Sequence, residues 1–447
     1  MKQLDFFSDF VQSSVGKLSS VTDTVKLTSV CLFSSAGIGE LGVEAAGISI
    51  LAANEIVPHR VSLYRENFPT SDIISGDIRE QQDLIIGTTK EKLSGDDLFL
   101  LYATPPCQGM STNGMGRLKW EAAQGRRKEE DERNRLIIPT MDIACALRPK
   151  WILLENVPGM RYTDIRTDLG ESENIISYVK RRLGPEYVGG CEVIACHDYG
   201  IPQRRKRLIT IFTRDSKGRS YFECNGGSFF SPALKEPPRS LRAAIGHLPE
   251  LDAVEGRNSN YSFHPLHYVP VMNEIKYWWV KHTKEGDTAF NNQCVNPSCG
   301  FKYTPGHKDV LIEGKWVASK EIPIDCMKCG SALPRPTVID KAGNRRAMKG
   351  FHSAYRRMLW DEPARTLTQN FIYEASDNKI HPEQNRVLSV YEATILQTID
   401  RYNYKFTIGG KSIGAARIAE VIGESVPPYL IEKICRMMKA VSFHTVD

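Results

Sequence analysis

The feature that most constrains the fold is a series of short apolar runs between Lys26 and Thr213, with helical stretches between them. Six runs have the length and composition of buried strands: LTSVCLF (27–33), ISILAANE (48–55), DLFLLYA (97–103), WILLENV (151–157), EVIACHD (192–198) and RKRLITIFT (205–213). Apolar strands alternating with helices are typical of a mostly parallel sheet covered on both faces. The sequence therefore predicts a doubly wound α/β domain, whose ligands bind beyond the carboxyl ends of the strands.

The rest of the chain divides into regions of different character. Residues 214–360 are rich in Gly, Pro, Asn, Ser and aromatic residues and lack a sustained helical period, whereas a helical pattern returns from about 386. We therefore predict four regions: an N-terminal extension of unknown role (1–25), the α/β domain (26–213), a smaller irregular domain (214–375) and C-terminal helices (376–447).

Composition and charge limit the partners and the cellular compartment that we expect for this chain. The net charge of +5 is mildly basic, which is compatible with nucleic acid as a partner. No apolar run approaches the roughly 20 residues that cross a bilayer, and the N-terminal stretch lacks the pattern of a secretory signal. The eleven cysteines are therefore expected as thiols, metal ligands or a nucleophile in a reducing compartment. We expect a cytoplasmic protein.

Three strand ends carry groups that suit a nucleoside-containing cofactor. The small residues of SSAGIGELG, after the first strand, allow a ligand to approach the backbone. Glu55 ends the second strand, where an acid suits ribose hydroxyls, and Asp77 lies near the end of the third, where it could accept a hydrogen bond from an adenine amino group. The alternatives are an ordinary turn and surface carboxylates.

Cys107 follows the fourth strand in a constrained turn. Pro105 and Pro106 fix their own φ angles, and Pro105 also pushes Thr104 toward extended geometry. The thiol is thus expected to project at the ligand-binding edge of the sheet. An inert buried cysteine is the alternative.

Glu155 and a basic turn complete the set of strand-end groups. Glu155 ends the fifth strand, where a carboxyl group could hold a proton and donate it. The turn GIPQRRKR (200–207) adds Gln203, Arg205 and Arg207 as the last strand begins. The alternatives are an acid paired with an arginine on a neighbouring loop, and a solvated basic turn.

Four cysteines in the irregular domain have the spacing of metal ligands. Cys294 and Cys299 lie in CVNPSC, Cys326 and Cys329 lie in CMKC, and 26 residues separate the pairs. Two such pairs, each followed by glycine, predict a zinc ribbon with four thiolate ligands. Four unrelated reduced cysteines or a redox pair are the alternatives. The segment 335–357 that follows holds seven Lys/Arg residues against one acid, which favours phosphate contacts.

Six motifs in this order resemble the C5-cytosine DNA methyltransferases, over about Leu27 to Lys433: LFSSAG, PPCQG, ENVPG, QRRKR, PARTLTQ and GESVPP. The resemblance implies a Rossmann-like methyltransferase domain, S-adenosylmethionine as methyl donor and a cytosine flipped out of double-stranded DNA as acceptor. It makes 214–375 a target-recognition domain and brings the C-terminal helices back to the catalytic domain. It also implies a monomer, paired with a restriction nuclease that acts on the same site.

The resemblance carries over to individual residues. It implies Cys107 as nucleophile, Glu155 as the motif acid, and Arg205 and Arg207 as arginines that help hold the base and the catalytic loop. Ten positions match residues that line the cofactor: Phe33, Ser34, Gly37, Glu55, Ile56, Asp77, Ile78, Pro105, Ser425 and Val426. The charged run 110–135 is expected to close over the flipped base as a lid, with a solvated loop as the alternative.

The sequence departs from the family pattern at three positions. Ser35 and Ile38 stand where the first motif usually has glycine, and Glu424 stands where the late motif usually has asparagine. We expect altered cofactor contacts. Two other functions stay open at this point: a tRNA cytosine-5 methyltransferase, and a non-catalytic DNA-binding regulator with the same fold.

Overall fold

The computed structural model describes residues 26–106, 131–168, 170–306, 309–312, 315–318, 322–348, 353–376 and 379–443. Three of the predicted features lie outside these residues: the extension 1–25, Cys107, and the part of the expected lid between 110 and 130. Of residues 309–312 and 315–318 only the backbone is described.

The strands, in chain order, are β1 (Thr28–Leu32), β2 (Ser49–Glu55), β3 (Asp72–Ser75), β4 (Leu100–Ala103), β5 (Trp151–Asn156), β6 (Asp164–Arg166), β7 (Ser172–Asn174), β8 (Val188–Ala195), β9 (Lys206–Thr213), β10 (Asp309–Ile312), β11 (Lys315–Ala318), β12 (Thr337–Ile339), β13 (Arg345–Ala347), β14 (Thr407–Ile408) and β15 (Lys411–Ser412). The helices are α1 (Glu40–Ala45), α2 (Pro58–Asn67), α3 (Ile78–Leu93), α4 (Ile137–Leu147), α5 (Ile175–Leu183), α6 (Ser216–Cys224), α7 (Leu241–Ile245), α8 (Glu274–Lys281), α9 (Val390–Leu396), α10 (Ala415–Glu424) and α11 (Pro428–Phe443). Short 3-10 turns connect several of these elements.

Seven strands form the central sheet, in the order β3-β2-β1-β4-β5-β9-β8. The first five strands of this order are parallel to one another, whereas β9 runs antiparallel to both β5 and β8. The predicted α/β fold with a mostly parallel sheet is confirmed. Because β9 is antiparallel, its first residues lie at the same edge as the last residues of β5.

Two apolar cores cover the sheet. On one face, side chains of α3, α4 and α5 pack against inward-facing residues such as Val30, Leu101 and Ile152. On the other face, side chains of α1, α2, α6 and α11 pack against residues such as Cys31, Tyr102 and Leu153. Alternate residues of each strand therefore enter opposite cores, as the two-residue period of a strand requires.

The last helix completes the core around the first one. An alanine Cβ at Gly42 in α1 would lie 2.2 Å from the carbonyl oxygen of Pro428, so the two helices are in backbone contact. The indole Nε1 of Trp151 donates to Ser442 Oγ at 2.9 Å. The C-terminal helices thus pack on the α/β domain.

The region after β9 has a separate apolar cluster, which includes Leu251, Trp279, Phe290, Tyr355 and Val387. Among the described residues between α7 and α9, the regular elements are few: α8 and the two-stranded hairpins β10–β11 and β12–β13. The residues of 216–245, in contrast, belong to the core that contains β1 and α11. The separate apolar cluster thus begins at Leu251, after α7, and the boundary at 213 remains a prediction.

Among the described residues, none of the helices combines the length and the apolar character needed to cross a bilayer.

Candidate functional site

The order of the sheet strands reverses between β1 and β4, and the backbone after β1 is unusual there. Phe33 has φ 59° and Ser35 has φ 48°, in the left-handed region. Residues other than glycine adopt this conformation at a cost of about 1–2 kcal/mol. In open α/β sheets ligands bind in the crevice at such a reversal. Ser35 therefore adopts a conformation that glycine would adopt without this cost.

One hydroxyl group in this turn is buried and unsatisfied. The Oγ atom of Ser35 has no hydrogen-bond partner within the described part of the chain, whereas the hydroxyl of Ser34 lies next to the carboxyl group of Glu40. Gly37 follows with φ 80°, and a Cβ there would lie 2.3 Å from the ring of Phe68. A buried hydroxyl without a partner is costly, so this turn fits a polar ligand.

Glu55, at the end of β2, holds the same turn in place. Its Oε2 accepts a hydrogen bond from the Ser35 backbone N–H, and its Oε1 accepts one from that of Val57, both at 2.8 Å. A carboxylate has about four acceptor positions, so two remain for ligand hydroxyls. The side chain of Ile56 beside it is 58% exposed, an apolar surface on which a planar ring can pack.

Asp77 caps the N-terminus of α3. Its Oδ1 accepts from the Arg79 backbone N–H at 3.0 Å, and the Arg79 side chain also pairs with the carboxylate. The hydrogen bond from Arg79 lowers the pKa of Asp77, so the group is an anion at neutral pH. Ile78 is buried in the core beneath, so only its backbone faces the strand end.

The turn after β4 is anchored to its neighbours on both sides. Thr104 Oγ1 donates to the Phe33 carbonyl at 2.9 Å, and Asn156 Nδ2 donates to the Pro105 carbonyl at 2.9 Å. The chain that leads to Cys107 is therefore fixed as far as Pro106, where the described segment ends. Asn156 was not predicted as a site residue; the signal was a second polar residue directly after Glu155.

Glu155 and Arg207 form an ion pair at this edge. The Nε of Arg207 lies 2.6 Å from Oε1 of Glu155, with both side chains largely buried. They meet because β9 is antiparallel to β5, with Ile209 opposite Glu155. The alternative predicted from the sequence, an acid paired with a nearby arginine, thus describes the observed contact. The pair places a carboxyl group and a guanidinium side by side at the ligand edge.

Gln203 and Arg205 join three segments that are distant in sequence. Buried Gln203 donates to Gln397 Oε1 at 2.9 Å and accepts from the Leu367 backbone N–H at 2.9 Å. Arg205, 1% exposed, donates to the carbonyls of Leu367 at 2.9 Å and Gly423 at 3.3 Å. Arg205 therefore lies in a buried junction of these segments, where its guanidinium group binds backbone carbonyls.

The two late-motif residues belong to the same junction. Gln397 Nε2 donates to Oγ of Ser425 at 2.8 Å, and Val426 is buried in the core that contains β1. Glu424, one of the departures from the family pattern, pairs with Arg60 of α2 at 2.7 Å. The charged side chain therefore ties α10 to the helix after Glu55, an interaction that an asparagine would make only weakly.

Glu40 is a buried acid close to the turn after β1. It is 3% exposed, and burial raises its pKa to about 7. The hydroxyl of Tyr102, on β4, is also buried and has no hydrogen-bond partner in the described ranges. Glu40 was not predicted, because one acid in a glycine-rich turn gives no sequence signal.

The four predicted cysteine ligands come together in the second domain. The Sγ atoms of Cys294, Cys299, Cys326 and Cys329 all lie within 4.8 Å of one another. The Sγ–Sγ distance is 3.7 Å between Cys294 and Cys329 and 3.9 Å between Cys299 and Cys326. Tetrahedral zinc with Zn–S bonds of about 2.3 Å places sulfurs about 3.8 Å apart, so the geometry fits this ion.

Two arginines of the predicted phosphate-binding run are buried instead. Arg335 donates to the carbonyls of Asn292, Pro305 and Pro323, and Arg357 donates to those of Val280, Thr283 and His381, among others. Burial lowers the pKa of each to about 10, which still leaves them charged. The two guanidinium groups do not reach the surface of the second domain. They hold its loops together, because the backbone carbonyls of loops without regular structure need side-chain donors.

The fold and the site together define a doubly wound α/β enzyme with a nucleotide-type ligand edge beside a carboxylate–guanidinium pair. The sequence model for C-5 cytosine-specific DNA methylases matches residues 27–440. The chain therefore belongs to the C-5 cytosine-specific DNA methylase family and is a DNA cytosine-5 methyltransferase.

Individual relatives agree with this assignment. The Type II methyltransferase M1.HgaI of Avibacterium volantium is 30% identical over 414 residues, which cover 91% of this chain and 96% of the relative. M1.HphI of Haemophilus parahaemolyticus is 30% identical over 411 residues, covering 92% and 86%. A solved Escherichia coli structure, described as a DNA modification methyltransferase encoded within a prophage, has a TM-score of 0.55 at 18% identity, covering 93% of this chain and 99% of the other. That last likeness concerns the fold.

Proposed function

We propose that this chain methylates C5 of a cytosine within one short DNA sequence, with S-adenosylmethionine as donor, as the modification enzyme of a Type II restriction system. The observation that carries the proposal is the Glu155–Arg207 pair at the edge where Pro105 fixes the approach to Cys107. The named relatives are Type II methyltransferases, which supports the biological setting. A restriction nuclease of the same site is the expected partner.

Carbon C5 of cytosine is a poor nucleophile, so an enzyme nucleophile must first add to the ring and activate it. Addition of the Cys107 thiolate at C6 makes C5 enamine-like and places negative charge toward N3 and O2 of the base. Glu155 can supply a proton to N3, and Arg207 can stabilise charge at O2. C5 would then accept the methyl group from the sulfonium of the donor, which would leave as a neutral thioether. Loss of the C5 proton to water and elimination of the thiolate would release the methylated base. The target atom lies inside the stack, so the base must first leave the duplex.

The residues after β1 and β2 fit the methyl donor, which supplies an electrophilic methyl group on a sulfonium. The unsatisfied hydroxyl of Ser35, with that of Ser34 beside it, would hydrogen-bond its polar groups. Glu55 would accept from its ribose hydroxyls, and exposed Ile56 would pack on its adenine. Asp77 is placed to accept from the adenine amino group. Ile78 and Val426 support this site from the core.

The four-cysteine cluster is proposed to hold a structural zinc ion. Four thiolates would close the coordination sphere and leave no position for a substrate, as in structural sites. The surrounding apolar cluster is small, with Leu333 and Phe301 beside the cysteines, so the ion would supply much of the local stability. Metal analysis of the purified protein should find one zinc per chain. Cys326→Ser should lose it, whereas Cys224→Ser, at an exposed cysteine elsewhere, should keep it.

The second domain is proposed to select the target sequence. Exchange of residues 246–375 for the equivalent region of a relative should change which site is methylated, and methylation of the original site by the hybrid would contradict the proposal.

Bisulfite sequencing of plasmid DNA from cells that express this chain tests the function directly. Protected cytosines at one short motif are expected, and Cys107→Ser should abolish them while leaving DNA binding intact. Cys145→Ser, at an exposed cysteine on α4, serves as a matched control that should keep full protection. Methyl transfer to tRNA but not to duplex DNA would favour the tRNA enzyme instead, and DNA binding without any transfer would favour a regulator.

A further inference from the structure

The outer side of the cysteine cluster presents large side chains to solvent. Tyr303 is 83% exposed and Met327 is 68% exposed, and Lys328 beside Met327 is exposed as well. Met327 and Lys328 stand between the ligands Cys326 and Cys329, at the tip of a tight turn. The ring of Tyr303 rests edge to face on Phe301, with the centroids 5.7 Å apart, and the rest of its surface faces solvent.

The same surface is positively charged. Five exposed cations lie on the cluster and the adjacent hairpin β12–β13, namely Lys302, Lys328, Lys341, Arg345 and Arg346. Two acids of the residues that the structure describes lie among them, and both are engaged: Asp325 pairs with Arg345, and Asp340 accepts backbone N–H groups of Ala342 and Asn344 at 2.9 Å. The surface therefore carries a net positive charge.

The cluster and the hairpin are held as one body. The Arg345–Asp325 pair joins β13 to the residue that precedes Cys326. Arg335 donates to the Asn292, Pro305 and Pro323 carbonyls, which lie on the two arms that carry the cysteines. A contact made by this surface would therefore lose little conformational entropy on binding.

We propose that this surface, the knuckle face (Lys302, Tyr303, Met327, Lys328, Arg345 and Arg346), contacts duplex DNA. The cations neutralise phosphates, and Tyr303 and Met327 contact base edges in a groove. Phosphate contacts set affinity and register, whereas contacts to base edges discriminate between sequences. The proposal rests on the proposed function and assigns the selection of the target to a particular face of the second domain.

The two kinds of contact predict different losses. Lys328→Ala should weaken binding to all duplexes alike and reduce the slope of log K against log salt by about 1, because one fewer counterion is released. Tyr303→Ala and Met327→Ala should leave that slope unchanged. They should instead reduce the ratio of specific to non-specific affinity by roughly 5–100-fold, the range expected for loss of a base contact.

The test is fluorescence anisotropy of the full chain with two labelled duplexes of equal length, one carrying the site found by bisulfite sequencing and one lacking it. Lys411→Ala and Leu84→Ala are the matched controls, since both residues are exposed and lie outside the second domain, Lys411 on β15 and Leu84 on α3. Lys328→Gln, which keeps the bulk of the side chain, repeats the charge test. Zinc content and the unfolding midpoint are measured alongside for every variant.

A wild-type salt slope and a wild-type specificity ratio in the three knuckle-face variants would overturn the proposal. This outcome is distinct from failure of the proposed function, which would show as absence of methylation by the unaltered protein.

Discussion

Glu392→Gln should destabilise the protein, because Glu392 is the anion of a fully buried ion pair. Arg386 Nη1 and Nη2 each donate to one carboxylate oxygen at 2.7 Å, and both side chains are 1% exposed. Oε2 also accepts from the Ser389 backbone N–H at 2.7 Å, which caps α9. Helix α9 leads into Gln397, so the pair supports the junction that holds Ser425.

The magnitude follows from the pKa. Burial alone would raise the pKa of Glu392, but the charge and hydrogen bonds of Arg386 bring it down from 4.5 to about 2. A depressed native pKa stabilises the fold above pH 4.5, and this stability is lost as the pH falls toward 2. At 1.36 kcal/mol per unit, the stabilisation at neutral pH is about 3 kcal/mol. Removal of one partner from a buried pair typically costs about 3–5 kcal/mol, in agreement with this value.

Urea unfolding of both proteins, followed by intrinsic fluorescence between pH 3 and pH 8, measures the effect. The difference in free energy of unfolding should be about 3 kcal/mol and constant from pH 6 to pH 8, and it should shrink below pH 4.5. Asp361→Asn, which breaks the exposed pair with Arg242, should change little. A difference below about 1 kcal/mol at pH 7.5, or one that grows toward acid, would refute the reasoning.

Three further predictions concern the site and its supports. Arg207→Lys keeps the charge but loses the planar donor of the ion pair, so single-turnover methyl transfer should slow by about 10²–10³-fold with little change in cofactor affinity. Glu40→Gln should be more stable than the wild type, by an amount that grows from pH 4.5 to pH 7 and reaches about 3 kcal/mol. The reason is that between these pH values Glu40 keeps its proton in the native state and loses it in the unfolded chain, which destabilises the wild type. Unfolding measured at several pH values tests this. Gly423→Ala should cost about 1–3 kcal/mol in thermal unfolding, because its Cβ would lie 2.0 Å from the Gln369 backbone nitrogen.

Each of these has a built-in control. For Gly423→Ala it is Gly87→Ala in α3, where a Cβ meets nothing within 4 Å and the helix should gain about 0.5–1 kcal/mol. For Glu40→Gln, a pH-independent difference from the wild type would count against a titrating Glu40. For Arg207→Lys, equal losses in binding of the cofactor and in transfer would indicate a folding defect.

The strand series and the sheet could be predicted because each buried strand is a continuous apolar run, a signal local to a few residues. The clustering of the four cysteines could be predicted for the same reason, since their spacing is local within each pair, and their role as zinc ligands remains a prediction. The contacts of Arg205 could not, because its acceptors are carbonyls 162 and 218 residues away and no periodicity reports such contacts, and its role in holding the base remains a prediction. Charge counting failed at Arg335 and Arg357, since composition does not distinguish a surface cation from one buried among carbonyls. Cys107 and the cofactor residues remain predictions.

The contact between α1 and α11 has a consequence for how the protein is made. The surface of α1 that Pro428 covers is synthesised about 390 residues before its partner. At about 5–20 residues per second, it waits uncovered on the ribosome for roughly 20–80 s. The central sheet therefore cannot bury one of its two faces completely until α11 has been synthesised. A premature stop before residue 428 should thus leave an exposed apolar face that cellular quality control recognises, and no partly built enzyme should persist.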